Sequence, residues 1–174
     1  MRVIETMIGS GPRTGSKIIL RQNRPGDLGW VVARHAELYF REYGWAENFE
    51  SVCAQIVVDF ASKYDPKCER CWIAEMDGQN VGSVFLVKDS EDVARLRLLL
   101  VDPLARGRGL GTRLTEECVR FARQCGYRRI TLWTHSVLTV ARHVYERAGF
   151  RLTSSEPRRS FGQDVVSEHW DLLL

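Results

Sequence analysis

Residues 98–114, Leu-Leu-Leu-Val-Asp-Pro-Leu-Ala-Arg-Gly-Arg-Gly-Leu-Gly-Thr-Arg-Leu, decide how the rest of the chain is read. An apolar, β-type run (Leu98–Val101) meets Asp102-Pro103, which stops a strand. A glycine-spaced turn follows, with arginines at 106, 108 and 113, and an amphipathic helix opens behind it. Glycines at 107, 109 and 111 let backbone turn tightly and come close to a ligand. A helix start adds unpaired N–H groups and partial positive charge. Strand, glycine turn and helix start together make a cradle for a phosphate or pyrophosphate.

Two nucleotide-binding motifs fail on the residues. A Walker A loop ends in Gly-Lys-Ser/Thr, and no lysine follows Lys88. A dinucleotide fingerprint starting at Gly107 needs glycine where Thr112 stands, and one starting at Gly109 needs it at Leu114. The acid expected ~20 residues further on is missing as well; that stretch reads Tyr127-Arg-Arg-Ile-Thr131.

The remaining pattern, Arg106-x-x-Gly109-x-Gly111 behind a strand and Asp-Pro, resembles the acetyl-CoA motif of the GNAT superfamily of N-acetyltransferases. Downstream, Tyr145-Glu-Arg-Ala-Gly-Phe150 resembles that superfamily's Leu-Tyr-Glu-x-x-Gly-Phe segment, 34 residues after Gly111. The matching layout covers roughly Lys17 to Leu174. Two motifs in the right order are far more specific than either alone.

Composition sets wider bounds. At 174 residues, with 44% hydrophobic and 27% charged residues, the chain reads as one ordinary globular domain. No apolar run approaches the ~20 residues that cross a bilayer, and the first residues lack the apolar core of a secretion signal. No membrane association is therefore expected, and a cytoplasmic location is. Five cysteines (53, 68, 71, 118, 125) are an odd number, against a disulfide framework. Cys68-Glu-Arg-Cys71 has metal-type spacing but lacks a second pair, so no metal is expected. Net charge is +3, and only four of the 25 basic residues are lysines. The arginines are scattered among acids, and no nucleic-acid motif accompanies them, so direct nucleic-acid binding is not expected.

Along the chain, residues 1–16 read as a flexible lead-in and 17–174 as the domain. Strands are expected at Lys17–Arg21, Cys71–Met76, Asn80–Lys88, Val93–Val101, Arg129–Thr134, Phe150–Ser154 and Val165–Leu173. Helices are expected at Leu28–Tyr43, Glu47–Tyr64, from Leu110 to Cys125, and at Val137–Ala148, the last with Val140, Val144 and Ala148 on its apolar side. A helix joins Val93–Val101 to Arg129–Thr134, so those strands are parallel. This order matches the GNAT layout. The resemblance implies an α+β fold of α/β/α type, with a mixed, mostly antiparallel twisted sheet and helices on both faces. Its two parallel strands would splay around acetyl-CoA.

The resemblance also implies an acetyl-CoA-dependent N-acetyltransferase, an acyltransferase of EC 2.3.1 type. It would act by direct attack of a primary amine in a ternary complex, the amine being a small molecule or a peptide. The backbone of Leu99, Leu100 and Val101 would hold the pantetheine arm, and Arg106, Gly107, Arg108, Gly109, Leu110, Gly111 and Thr112 the pyrophosphate. Tyr145 matches the general acid that protonates the leaving thiolate.

The chain departs from its relatives at other positions. Leu138 stands where many keep an asparagine; Thr134, His135 or Ser136 are the nearby substitutes. Arg95 occupies the place of the glutamate base of histone-type relatives, and no acid lies near Trp133. An alkyl ammonium is deprotonated in about one molecule in a thousand at neutral pH, so a base is needed. His135 is the first candidate, followed by Glu75, Glu42 and Glu37.

Arg95 and Arg97 share a strand face with Leu99 and Val101 by alternation. They either pair with acids such as Glu75 and Asp89 or recognise an acidic group on the substrate. Trp30, Tyr39, Tyr43 and Trp45 either wall a substrate pocket or fill core. The alternative reading is a non-catalytic acyl-CoA-sensing or regulatory domain. Similar domains are fused behind MarR-type regulators, and Val3–Ile8 resembles the end of a dimerisation helix. A homodimer is left open.

Overall fold

The computed structural model describes residues 15–46 and 48–174. Residues 3–8, and most of the expected lead-in, lie outside the described residues. The elements run β1 (Ile18–Gln22), α1 (Asp27–Tyr43), α2 (Phe49–Lys63), β2 (Arg70–Met76), β3 (Gln79–Lys88), β4 (Val93–Val101), a 3-10 turn (Pro103–Ala105), α3 (Leu110–Gln124), β5 (Arg129–His135), α4 (Thr139–Arg147), β6 (Arg151–Ser160) and β7 (Gln163–Leu173). They form one seven-stranded sheet in the order β1-β2-β3-β4-β5-β7-β6. Only β4 and β5 are parallel neighbours. The architecture is the one expected from the sequence.

The helices cover both faces. On one side Val31 of α1 and Val57 and Phe60 of α2 pack on Cys71, Ile73 and Phe85. On the other, Leu110, Leu114, Cys118 and Phe121 of α3 and Tyr145 of α4 pack on Val84, Leu96, Ile130 and Trp170. Those four residues of α3 form its buried face. Cys71 and Cys68 belong to different sides of the sheet, Cys68 packing against the α3 cluster.

Sequence patterning misplaces the end of β6 and the start of β7, which begins at Gln163 and not at Val165. β6 continues to Ser160, beyond the expected Ser154, and carries Pro157. It is an edge strand, exposed almost throughout, so a missing N–H costs no ladder bond. It returns into β7 through Phe161-Gly162 at φ 56° and 80°, the doubly positive turn that suits hairpin twist. That turn directs Phe161 inward, where it is buried against Trp45 and Phe49.

α4 differs in its packing. Tyr145 is its buried residue, while Val140 is 79% exposed. The apolar pattern Val140, Val144 is real, but it faces a cavity.

The strand–turn junction is pinned from outside. Arg34 of α1 donates through Nε to Asp102 Oδ2 at 2.7 Å. The same carboxylate accepts the N–H of Leu104 at 3.0 Å, capping the 3-10 turn behind β4. With Asp102 buried, this charge-assisted pair fixes α1 against the point where β4 becomes the glycine turn.

Candidate active site

β4 and β5 pair from Val93 with Arg129 to Leu96 with Leu132 and then part. Beyond that, Trp133, Thr134 and His135 pair with β7. Leu98 sits at φ 49°, and the β3–β4 register shifts between Ser83 and Phe85. Ser83 Oγ donates to Leu98 O at 2.9 Å and secures this bulge. A bulge bends its strand and steepens the twist, which opens the notch between the two strands. It also interrupts side-chain alternation, so the face shared by Arg95 and Arg97 cannot be followed on to Leu99. Arg95 pairs with Asp89 at 2.7 Å, the structural alternative of its two readings.

A cavity of about 420 Å³ fills the open end of the notch, within the size range of ligand sites. Leu99, Leu100 and Val101 form one wall, the turn from Arg106 to Thr112 another, and Val140 and Val144 of α4 a third. Gly107 and Gly109 hold φ 74° and 69°. None of the backbone N–H groups from Gly107 to Thr112 donates to a backbone acceptor among the described residues; the first helical bond runs from Arg113 to Gly109. These donors sit at the start of a 15-residue helix, where the dipole also favours an anion.

Gly111 lies where α3 passes between β4 and α4. A Cβ there would stand 3.5 Å from Val144 Cγ2 and 3.7 Å from Val101 Cγ2. Arg106 lines the cavity and donates to Glu42 of α1 at 2.5 Å. Arg108, of the ten residues expected at the cofactor, is the one not lining it; its guanidinium donates to Ser16 O at 3.2 Å.

A smaller cavity, about 90 Å³, adjoins the first across Tyr39, Leu99, Leu138 and Ala141. Tyr145 of α4 and His135 at the end of β5 both line it. Tyr145 is 5% exposed, and its ring packs 5.8 Å from Phe150. Burial, with Cys118 nearby, raises its phenol well above the usual range. It therefore keeps its proton at neutral pH.

His135 is enclosed by Trp133, Trp45 and Phe161 at centroid distances of 4.6, 4.9 and 5.6 Å. Neither ring nitrogen has a hydrogen-bond partner among the described residues, nor does Ser167 Oγ on the paired residue of β7. Burial pushes the imidazole down to about 4. It is thus a neutral proton acceptor at pH 7, and a weak one.

The other base candidates are engaged elsewhere. Glu75 is bound by Arg21 at 2.7 Å, Glu37 by Arg34 and Arg41, and Glu42 by Arg106. Leu138, in the asparagine position, lines both cavities, and Thr134 lines the inner one. Tyr39, Tyr43 and Trp45 are pocket walls, whereas Trp30 packs with the α1–α2 core. Sequence reasoning missed Phe161 and the enclosure it gives His135. A Phe-Gly hairpin apex was the available signal.

Burial of two histidines has a stability consequence. His35 of α1, 2% exposed and bonded through Nδ1 to Val31 O at 2.8 Å, is also pushed down to about 4. Both native values lie below the ordinary ~6.5, so the unfolded chain binds more protons between those limits. Stability is therefore lost as pH falls through that window. From pH 7 to 5 the loss is about 2 kcal/mol per histidine. Thermal melts should show the midpoint falling by several degrees over this range, with a shallower fall in His35→Leu. A flat wild-type profile would refute the assignment.

Comparison with known proteins agrees with the fold. Residues 32–150 match the Acetyltransferase (GNAT) family. The chain belongs to that family. It is 31% identical over 122 residues to "Probable N-acetyltransferase camello" of Xenopus tropicalis, covering 68% of this chain and 54% of that protein. It is 37% identical over 92 residues to mycothiol acetyltransferase of Cellulomonas flavigena, covering 47% of this chain and 26% of the relative. The chain thus spans about half the length, or less, of these curated relatives. Among solved structures, yncA from Salmonella typhimurium with its cofactor acetyl-CoA superposes with a TM-score of 0.73 at 15% identity, over 90% of this chain and 93% of that one. No helix among the described residues is long and apolar enough to cross a membrane.

Proposed function

We propose that this chain is an acetyl-CoA-dependent N-acetyltransferase that transfers acetyl directly to a primary amine within a ternary complex. The observation carrying this reading is the junction of the two cavities. Unpaired N–H groups from Gly107 to Thr112 lie at the far end of the outer one, and Tyr145 and His135 wall the inner one.

The turn fits a pyrophosphate, since its donors have no acceptor among the described residues and its glycines admit close approach. The β4 backbone from Leu99 to Val101 has a free edge toward β5 and binds the pantetheine amides as a neighbouring strand would. Acetyl-CoA supplies an activated acyl carbon and a thiolate leaving group. The aromatic pocket holds the amine beside that carbon and excludes water. As the C–N bond forms and the C–S bond breaks, His135 accepts the proton released from nitrogen. Tyr145 gives its proton to sulfur.

Burial favours both roles. It keeps the imidazole unprotonated and the phenol protonated until the charge that each must meet has developed. With His135 so weak a base, the amine sheds its first proton to solvent before it attacks.

The test is CoA thiol release across amino acids, polyamines, aminoglycosides and peptides. Amine-dependent release supports catalysis. Tight acetyl-CoA binding without release from any amine would support the sensing alternative instead.

A further inference from the structure

Six arginines in the described residues are half-buried: 21, 34, 70, 95, 97 and 142. Five have partners. Arg21 binds Asp27 and Glu75, Arg34 binds Asp102 and Glu37, Arg95 binds Asp89, and Arg142 binds Glu168. Arg70 lies over the Phe121 ring at 4.1 Å. Arg97 has no hydrogen bond, ion pair or ring partner among the described residues.

Its position makes that informative. Arg97 is the residue of β4 immediately before the bulge, and it lines the inner cavity with Leu98, Leu99, Trp133, His135 and Tyr145. Among the described residues, no carboxylate lines that cavity. The nearest acids acting on Arg97, Asp89 and Asp59, are bound to Arg95 at 2.7 Å and to Gln55 at 3.0 Å. Desolvation, then repulsion from Arg95, lowers its pKa, as expected for a cation without a counter-ion. An arginine in such a place matches a planar anion, which it holds by two parallel hydrogen bonds.

We infer that the amine substrate carries a carboxylate, which Arg97 binds on the β4 side of the inner cavity. Arg97 is then a specificity residue rather than a catalytic one. The same geometry disfavours polycations, because a second ammonium would meet an unpaired guanidinium and no acid. This inference rests on the acetyl-transfer reading for its substrate.

Two arms keep the inference and that reading separable. In the first, kcat/KM is measured for amino acids beside their carboxamides, and for spermidine, in wild type, Arg97→Gln and Arg97→Lys of matched melting temperature. A charge-assisted contact worth about 1.5–3 kcal/mol corresponds to roughly 10–150-fold. Wild type should prefer the acid over its amide by that factor. Arg97→Gln should erase the preference with acetyl-CoA affinity unchanged, and Arg97→Lys should keep part of it. A folded Arg97→Gln that retains the preference, or a wild type that favours spermidine, overturns the inference.

If no amine is acetylated, the acetyl-transfer reading fails, and the second arm still decides. Calorimetry with CoA-loaded protein compares the same amino acids and carboxamides as ligands. Acid-selective binding lost in Arg97→Gln supports the site. Equal binding of acid and amide, or none of either, removes it.

Discussion

Replacing Tyr145 with phenylalanine is expected to lower turnover by about 10²–10⁴-fold, the usual contribution of a positioned proton donor. Acetyl-CoA affinity and melting temperature should scarcely move. The separation is possible because ring and hydroxyl have different partners. The ring fills core beside Phe150, with 5% of the residue exposed. The hydroxyl makes no hydrogen bond to protein among the described residues, so its loss leaves no orphaned group to destabilise the fold. Burial keeps the phenol protonated, so removing it takes away an acid that is always loaded. Kinetics of thiol release, with calorimetry as control, make the comparison. Full turnover by Tyr145→Phe would return the tyrosine to a packing role.

Gly111→Leu should abolish acetyl-CoA binding, with Kd rising by about 100-fold or more, because an interaction surface on this scale is worth several kcal/mol. Gly111 is helical, so a side chain there strains no backbone and removes a poor helix former. Its Cβ meets only Val144 and Val101, at ordinary contact distance. Alanine therefore fits the free protein, whereas the leucine branch extends between β4 and α4 into the cavity. The fold should survive, with melting within a few degrees of wild type. Gly109 is a less clean target, because its φ of 69° would itself cost a substituted residue about 1–2 kcal/mol. Calorimetric titration with acetyl-CoA checks the prediction. A folded Gly111→Leu with unchanged affinity would remove the notch as the cofactor site.

The glycine turn was legible in the sequence because its function constrains backbone. Gly107 and Gly109 adopt positive φ, and the helix start follows from the motif itself. β4 was found at its observed ends because Asp102-Pro103 and the Asp89–Asp92 turn bound it. The Asp77-Gly78 turn between β2 and β3 has φ 51° and 78°, the doubly positive geometry a tight hairpin needs.

Hydrophobic periodicity was blind to destination. Val140 and Val144 repeat like core residues, yet they line a cavity. Nothing local marks Leu98 as a bulge, since the φ of 49° is imposed by pairing with β3. His135 was found by its place at the end of β5, but its weakness as a base was not. The rings that desolvate it come from Trp45 and Phe161, far away in sequence. Arg97 could be named from the strand, but its lack of a partner is visible only once every neighbouring acid has been placed.

Direct acetyl transfer from acetyl-CoA to an amine can be tested by a single-turnover experiment with acetyl-labelled CoA. Enzyme in excess is mixed with the label, quenched with and without the best amine of the panel, and protein and small molecules are separated. All transferred label should appear in the amine, with the protein unlabelled at every time and no thiol released when amine is omitted. Label bound covalently to the protein before amine is added would contradict it.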